Sequence, residues 1–188
     1  MLEEKKGRIF LISGPSGAGE DSIIKELKKI IPLKKMITYT TRAMRENEID
    51  GRDYYFISKE EFKKKIEEDY FFEHAIQGNG HYYGLSFLEI AKAKESTDVI
   101  FWKIDYKGVM SAKKVLPNAK SIFISVPLAS LEKRIRARDK RDEAYIKVRM
   151  DYAREWLGHK DIYDYEVENL DGKLDEAVEK VLEIIRNN

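Results

Sequence analysis

The chain has 188 residues, of which 37% are charged, and a net charge of +1. That length suits one domain with a mobile lid and can bury a core without metals or disulfides, while balanced charge predicts no nucleic-acid partner. Cysteine is absent, which excludes disulfides, thiol catalysis and thiolate metal sites. Met1-Leu2-Glu3-Glu4-Lys5-Lys6 and the short apolar run behind it fit neither a signal peptide nor a membrane span, so a cytoplasmic protein without a membrane partner is expected.

Arg8 to Ser13 is an apolar run that reads as a buried parallel strand. It ends at Gly14-Pro15-Ser16-Gly17-Ala18-Gly19-Glu20-Asp21, and residues 20–31 then place Ile23, Ile24, Leu27, Ile30 and Ile31 on one helical face. Met36 to Thr40 is predicted extended, Tyr54 to Ile57 a short strand, and Ser58 to Glu61 a capping box opening a helix to about residue 68. Tyr70 to Ile76 is strand-like, and Gly78-Asn79-Gly80 is a turn. Asp98 to Asp105 and Lys120 to Val126 read as buried strands, with a helix at about 107–116 between them. Pro127 opens a helix to about Arg138, and residues 142–159 form another. A last strand, Tyr163 to Val167, precedes an amphipathic helix at about 173–186. The alternation predicts an α/β domain with a parallel sheet.

The glycine loop carries the chemistry. In G-x-x-x-x-G-K-[ST] the glycines let backbone N–H groups curl round phosphate oxygens, and the lysine and hydroxyl serve phosphate and magnesium. Here the glycines keep register, but Glu20 stands at the lysine position and Asp21 at the hydroxyl position. The same carboxylates complement a helix dipole, so the loop alone also fits a capped strand–helix turn. Arg42 and Arg45, with hydroxyl-bearing neighbours, can grip a phosphate, or can form a solvated basic turn. His74, His81 and His159 lack metal-ligand spacing, and Trp102 and Trp156 are read as packing residues.

Taken in order, SGPSGAG (13–19), TTR-x-x-R-x-x-E (40–48), DGRDYYFIS (50–58), FFEHA (71–75), YYG (82–84) and R-I-R-A-R with a later Arg149 resemble the guanylate kinases over nearly the whole chain. The resemblance implies a P-loop kinase fold: a core (1–37, 85–126 and 160–188), a small GMP-binding subdomain (38–84) and a helical lid (127–159). It implies phosphoryl transfer from ATP to GMP with Mg²⁺. By motif match, Gly14, Ser16, Gly17, Ala18, Gly19, Glu20, Asp21 and Ser22 bind ATP. Arg42, Arg45, Tyr54 and Tyr83 hold the GMP phosphate, Glu73 and Thr38 read guanine, and Asp105 is a further substrate contact. Arg134, Arg138 and Arg149 form the lid clamp.

Several positions depart from the family. Besides Glu20 and Asp21, the family's D-x-D appears as Lys103-Ile104-Asp105, its Ser/Thr after YYG is Leu85 with Ser86 one place on, and its proline after TTR is replaced by Ala43-Met44. One extra residue falls near Gly78-Asn79-Gly80-His81. The opposite signs of two changes suggest an exchange, in which Lys103 supplies the lost ammonium, Glu20 pairs with it or helps hold magnesium through water, and Asp21 becomes a magnesium ligand; the alternative is that Lys103 and Glu20 form a structural salt bridge in a dead site. A rival reading is a guanylate-kinase-like binding module with a dead site, and another is a kinase for a different nucleotide.

Overall fold

The computed structural model describes residues 7–76, 80–139 and 142–188. The predicted turn at 78–80 falls largely outside them. The elements are β1 (Ile9–Ser13), α1 (Glu20–Ile30), β2 (Leu33–Lys35), β3 (Tyr39–Thr40), β4 (Tyr55–Phe56), α2 (Lys59–Glu67), β5 (Phe71–Ile76), β6 (Tyr82–Ser86) and α3 (Phe87–Glu95). They continue with β7 (Val99–Lys103), α4 (Tyr106–Val115), β8 (Lys120–Ser125), α5 (Leu128–Asp139), α6 (Glu143–Leu157), β9 (Tyr165–Glu168) and α7 (Leu174–Asn187). The α/β class with a parallel core sheet is as expected. β2, β6 and α3 were not anticipated as elements.

The chain packs as two compact units. The larger comprises 8–34 and 98–188; the smaller comprises 35–97 with Gly7. The larger holds a five-stranded sheet in the order β2-β7-β1-β8-β9, in which β1 pairs in parallel with β7 and β8, and β8 with β9. Alternate residues of a strand serve opposite faces. Ile122 and Ile124 join Phe10, Ile12, Ile23 and Leu27 in the main cluster, while Phe123 packs with Tyr106 and Trp156. Trp102 and Trp156 are both buried, as expected of packing residues.

The smaller unit holds a four-stranded sheet, β4-β3-β6-β5. β6 runs antiparallel to β3 and β5, and the register shifts between Phe71 and Glu73. Ser58 caps α2 through a bond from the Glu61 N–H, as its capping box predicts. α3 opens the same way, with Ser86 Oγ accepting from the Glu89 N–H. The Glu89 side chain turns inward to 8% exposure. There it accepts from the Ile37 amide, the Tyr55 hydroxyl and the Lys92 ammonium. One carboxylate thus ties α3 to the segment before β3 and to β4. Glu89→Ala leaves those donors without their acceptor and is expected to cost about 2–3 kcal/mol. Urea denaturation reads this directly, and a cost below about 0.5 kcal/mol, typical of a plain surface change, would remove Glu89 as the hub.

Candidate phosphate and acceptor sites

In the larger unit β1 ends and α1 begins across a turn too tight for side chains at two positions. A Cβ on Gly14 would stand 2.7 Å from the Ile124 carbonyl oxygen, and Gly19 has φ of +101°, in the region that only glycine adopts freely. Beyond Gly19 the first N–H groups of α1 have no helical partners and point outward, an arrangement that attracts anions.

The turn's own carbonyls are held from the side. Arg134 donates to the oxygens of Gly17 and Ala18 at 3.3 and 3.4 Å and to Asn169 O at 2.8 Å, and it pairs with Asp171. The Asn169 amide donates to Ala18 O at 2.7 Å. Arg138 donates to Ser16 Oγ at 2.9 Å and also grips Asp139. Asp139 accepts from the Tyr145 hydroxyl, and Tyr145 in turn accepts from Arg149 Nε at 3.1 Å. A continuous chain of bonds therefore runs from Ser16 to Arg149. Gly17, Gly19, Glu20, Asp21, Arg134 and Arg138 share the lining of a cavity of about 530 Å³. Ser22 lines it too and is exposed.

Lys103, at the end of β7, donates from Nζ to both oxygens of Asp21 at 2.8 and 2.7 Å. Its hydrogen bonds thus go to the residue after Glu20, while its charge also acts on Glu20. Helix phase explains it: Glu20 curls back toward Gly14 with its Cδ 3.4 Å from the place of a Gly14 Cβ, whereas Asp21 projects outward with its side chain 82% exposed. Burial pushes the Glu20 carboxyl up to about 7, partly offset by the charge of Lys103 and by the Glu20 and Gly19 amides. Asp105 caps α4, accepting from the Gly108 N–H at 2.7 Å.

In the smaller unit Arg42, Tyr54 and Tyr83 come together. The Arg42 guanidinium lies 5.3 Å from the Tyr54 ring centre and 5.5 Å from that of Phe56, and Tyr54 meets Tyr83 edge-on at 6.1 Å. Glu48 accepts two bonds from Arg42 at 2.7 and 2.9 Å and one from the Arg45 N–H at 2.8 Å. This contact raises the Arg42 guanidinium above its ordinary range and lowers Glu48 below its own. The Arg45 side chain is exposed. Lys35 adds a cation 4.4 Å from the Tyr54 ring centre. Glu73 is half-buried on β5 opposite Leu85, and Thr38 accepts at its backbone oxygen from the Tyr55 N–H. Leu85 is buried with no hydroxyl to offer, and the Ser86 hydroxyl is committed to the α3 cap.

Residue-by-residue reading missed Lys35, Asn169 and Asp171, and gave Glu48, the last residue of the TTR-x-x-R-x-x-E run, no role. Glu48 was signalled by its place three residues after Arg45. Asn169 and Asp171 carried no local signal, since they reach the loop only through the pairing of β9 with β8. Among the described residues no group of three His, Asp or Glu side chains could by itself hold a metal. No described helix is long and apolar enough to cross a membrane.

The guanylate kinase family model matches residues 6–188. A guanylate kinase of Thermotoga maritima is 42% identical over 186 residues, covering 97% of this chain and 87% of that protein. One from Histophilus somni is 38% identical, covering 96% and 88%. Among solved structures, the guanylate kinase of Anaplasma phagocytophilum superposes with a TM-score of 0.74 at 25% identity, covering 97% of this chain and 86% of that one.

The position of Glu20 gives a test by pH. Its folded pKa of about 7 lies above the ordinary 4.5, so between those values the folded protein binds more protons than the unfolded chain. Stability from this group is full below pH 4.5 and is lost as pH rises to about 7. Glu20→Gln removes the slope. The variant should gain on the wild type across that window, by about 1–2 kcal/mol once solvent screening is allowed for. Thermal melts at several pH values measure the gap, and a gap that does not change with pH counts against the assignment.

Proposed function

Since the chain belongs to the guanylate kinase family, we propose that it transfers the terminal phosphoryl group of ATP to GMP, giving ADP and GDP. The observation that carries this reading is the gathering of Arg42, Tyr54 and Tyr83, braced by Glu48. With Arg45 they hold the phosphate of GMP by charge-assisted bonds. The Glu73 carboxylate accepts from the ring N–H and the exocyclic amine of guanine, and Thr38 and Asp105 are further substrate contacts. Because Leu85 has no hydroxyl and Ser86 is buried, discrimination leans on Glu73. Three working parts follow: a core, a GMP-binding subdomain at 38–84 and a lid at 127–159, in a cytoplasmic protein.

The loop from Gly14 to Ser22 receives the phosphates of ATP on its backbone amides. Transfer needs no covalent intermediate; positioning and charge neutralisation lower the barrier. Arg138 and Arg149 supply positive charge, and Arg134 keeps the loop carbonyls turned away from the phosphates. Lys103 takes the part of the missing loop lysine. Magnesium fits as an ion carried in with the nucleotide: Asp21 is an exposed hard-oxygen donor that would release Lys103 to take it, and such ions take one or two carboxylates with substrate phosphates and water. Bound there, it would neutralise phosphate charge.

The direct test is an ADP-release assay with ATP, magnesium and each nucleoside monophosphate in turn. GMP should be the preferred acceptor, and absence of turnover with every one of them would return the chain to the binding-module reading. Arg42→Ala should weaken GMP binding by about 1.5–3 kcal/mol in calorimetry, the range for hydrogen bonds to charged groups. Equal GMP affinity in variant and wild type would remove Arg42 from the site. Lys103→Ala should lower turnover by about a hundredfold or more while GMP affinity stays put. Unchanged turnover would mean that Lys103 is only a structural partner of Asp21.

A further inference from the structure

A phosphate-binding loop works by presenting several backbone N–H groups to one anion at the start of a helix. In this chain a carboxyl group is already part of the loop. Glu20 opens α1, and its carboxyl carbon folds back to 3.4 Å from where a Cβ on Gly14 would be. The backbone amides of Glu20 and Gly19 act on this carboxyl, offsetting part of the burial that raises its pKa. These belong to the set of amides that a nucleotide phosphate would use. Glu20 also lines the same cavity as Gly17, Gly19, Asp21, Arg134 and Arg138. A lysine at this position would add charge complementary to phosphate; above about pH 7, where this carboxyl is ionised, it duplicates the charge of phosphate instead.

We propose that the Glu20 carboxylate is a built-in occupant of the phosphate cradle, which a donor phosphate must displace in order to bind. The proposal rests on the reading that this loop takes the donor nucleotide. Lys103 gives the displaced group a destination, since its charge already acts on Glu20 and its ammonium stands on the neighbouring Asp21. The loop therefore has two arrangements, one closed on its own side chain and one open to phosphate. Apparent donor affinity is reduced by the fraction of molecules in the open arrangement.

The test is calorimetric binding of ADP and, separately, inorganic triphosphate to wild type, Glu20→Ala and Glu20→Gln, with magnesium present. Neither probe is turned over alone. If the open arrangement makes up about a tenth of the wild-type population, Glu20→Ala should bind both probes about tenfold more tightly. Glu20→Gln should gain less, because it loses the charge but keeps the shape. It carries the test alone if the alanine variant fails to fold. GMP affinity, measured on the same samples, should not move. Wild-type binding of both probes with no gain in either variant overturns the proposal and leaves the donor assignment standing. No binding of either probe by any of the three proteins, with GMP still bound, overturns the proposal and the donor assignment together.

Discussion

The close approach of two backbones at Gly14 is the constraint on which the larger unit depends. The loop leaves the middle strand of the sheet and immediately lies against the carbonyl of Ile124 on β8, at a distance that leaves no room for a side chain. That contact sets where α1 starts, and hence which amides face outward. The neighbours that hold the loop carbonyls come from sequence-distant elements: Arg134 on α5 and Asn169 after β9. Because β9 pairs with β8 and β8 with β1, the parallel sheet brings Asn169 back to a loop 151 positions away. The site is thus a product of sheet order rather than of local sequence.

Around that frame the charges have been rearranged. A carboxylate sits inside the loop at Glu20, a second projects beside it at Asp21, and the compensating ammonium arrives from β7. The Lys103–Asp21 pair is too exposed to contribute much to stability, since surface ion pairs are worth little. Its significance is positional, because it holds a cation at the mouth of an otherwise acidic loop. In the smaller unit the logic is conventional by comparison. Glu48 spends both its oxygens on orienting Arg42, and a guanidinium held in this way has already given up much of its freedom.

Much of this was legible in the sequence, and the failures have physical causes. Apolar runs marked β1, β7 and β8, the first ending at glycine and the last at proline, and the helical stripe of α1 was plain. α3 was missed because its pattern is inverted: Phe87 and Leu88 stand 54% exposed while Glu89 is buried. The capping box Ser86-Phe87-Leu88-Glu89 was nonetheless there to be read. β2 is a short edge strand containing two lysines, the kind that resists unwanted pairing and hides from an apolar-run search. The charge exchange was half legible. Strand alternation could say that Lys103 shares a face with Asp105, but not which loop carboxylate it would meet. That depended on how the first turn of α1 is phased, a detail fixed by the Gly14 contact.

The bond chain from Ser16 through Arg138, Asp139 and Tyr145 to Arg149 has a consequence for the environment the protein works in. Its links are ionic or charge-assisted, and the Arg138 side chain is 52% exposed. Dissolved ions compete for such links, and their reach shrinks as electrolyte concentration climbs. The resting posture of α5 and α6 over the loop is therefore set partly by the saltiness of the solution.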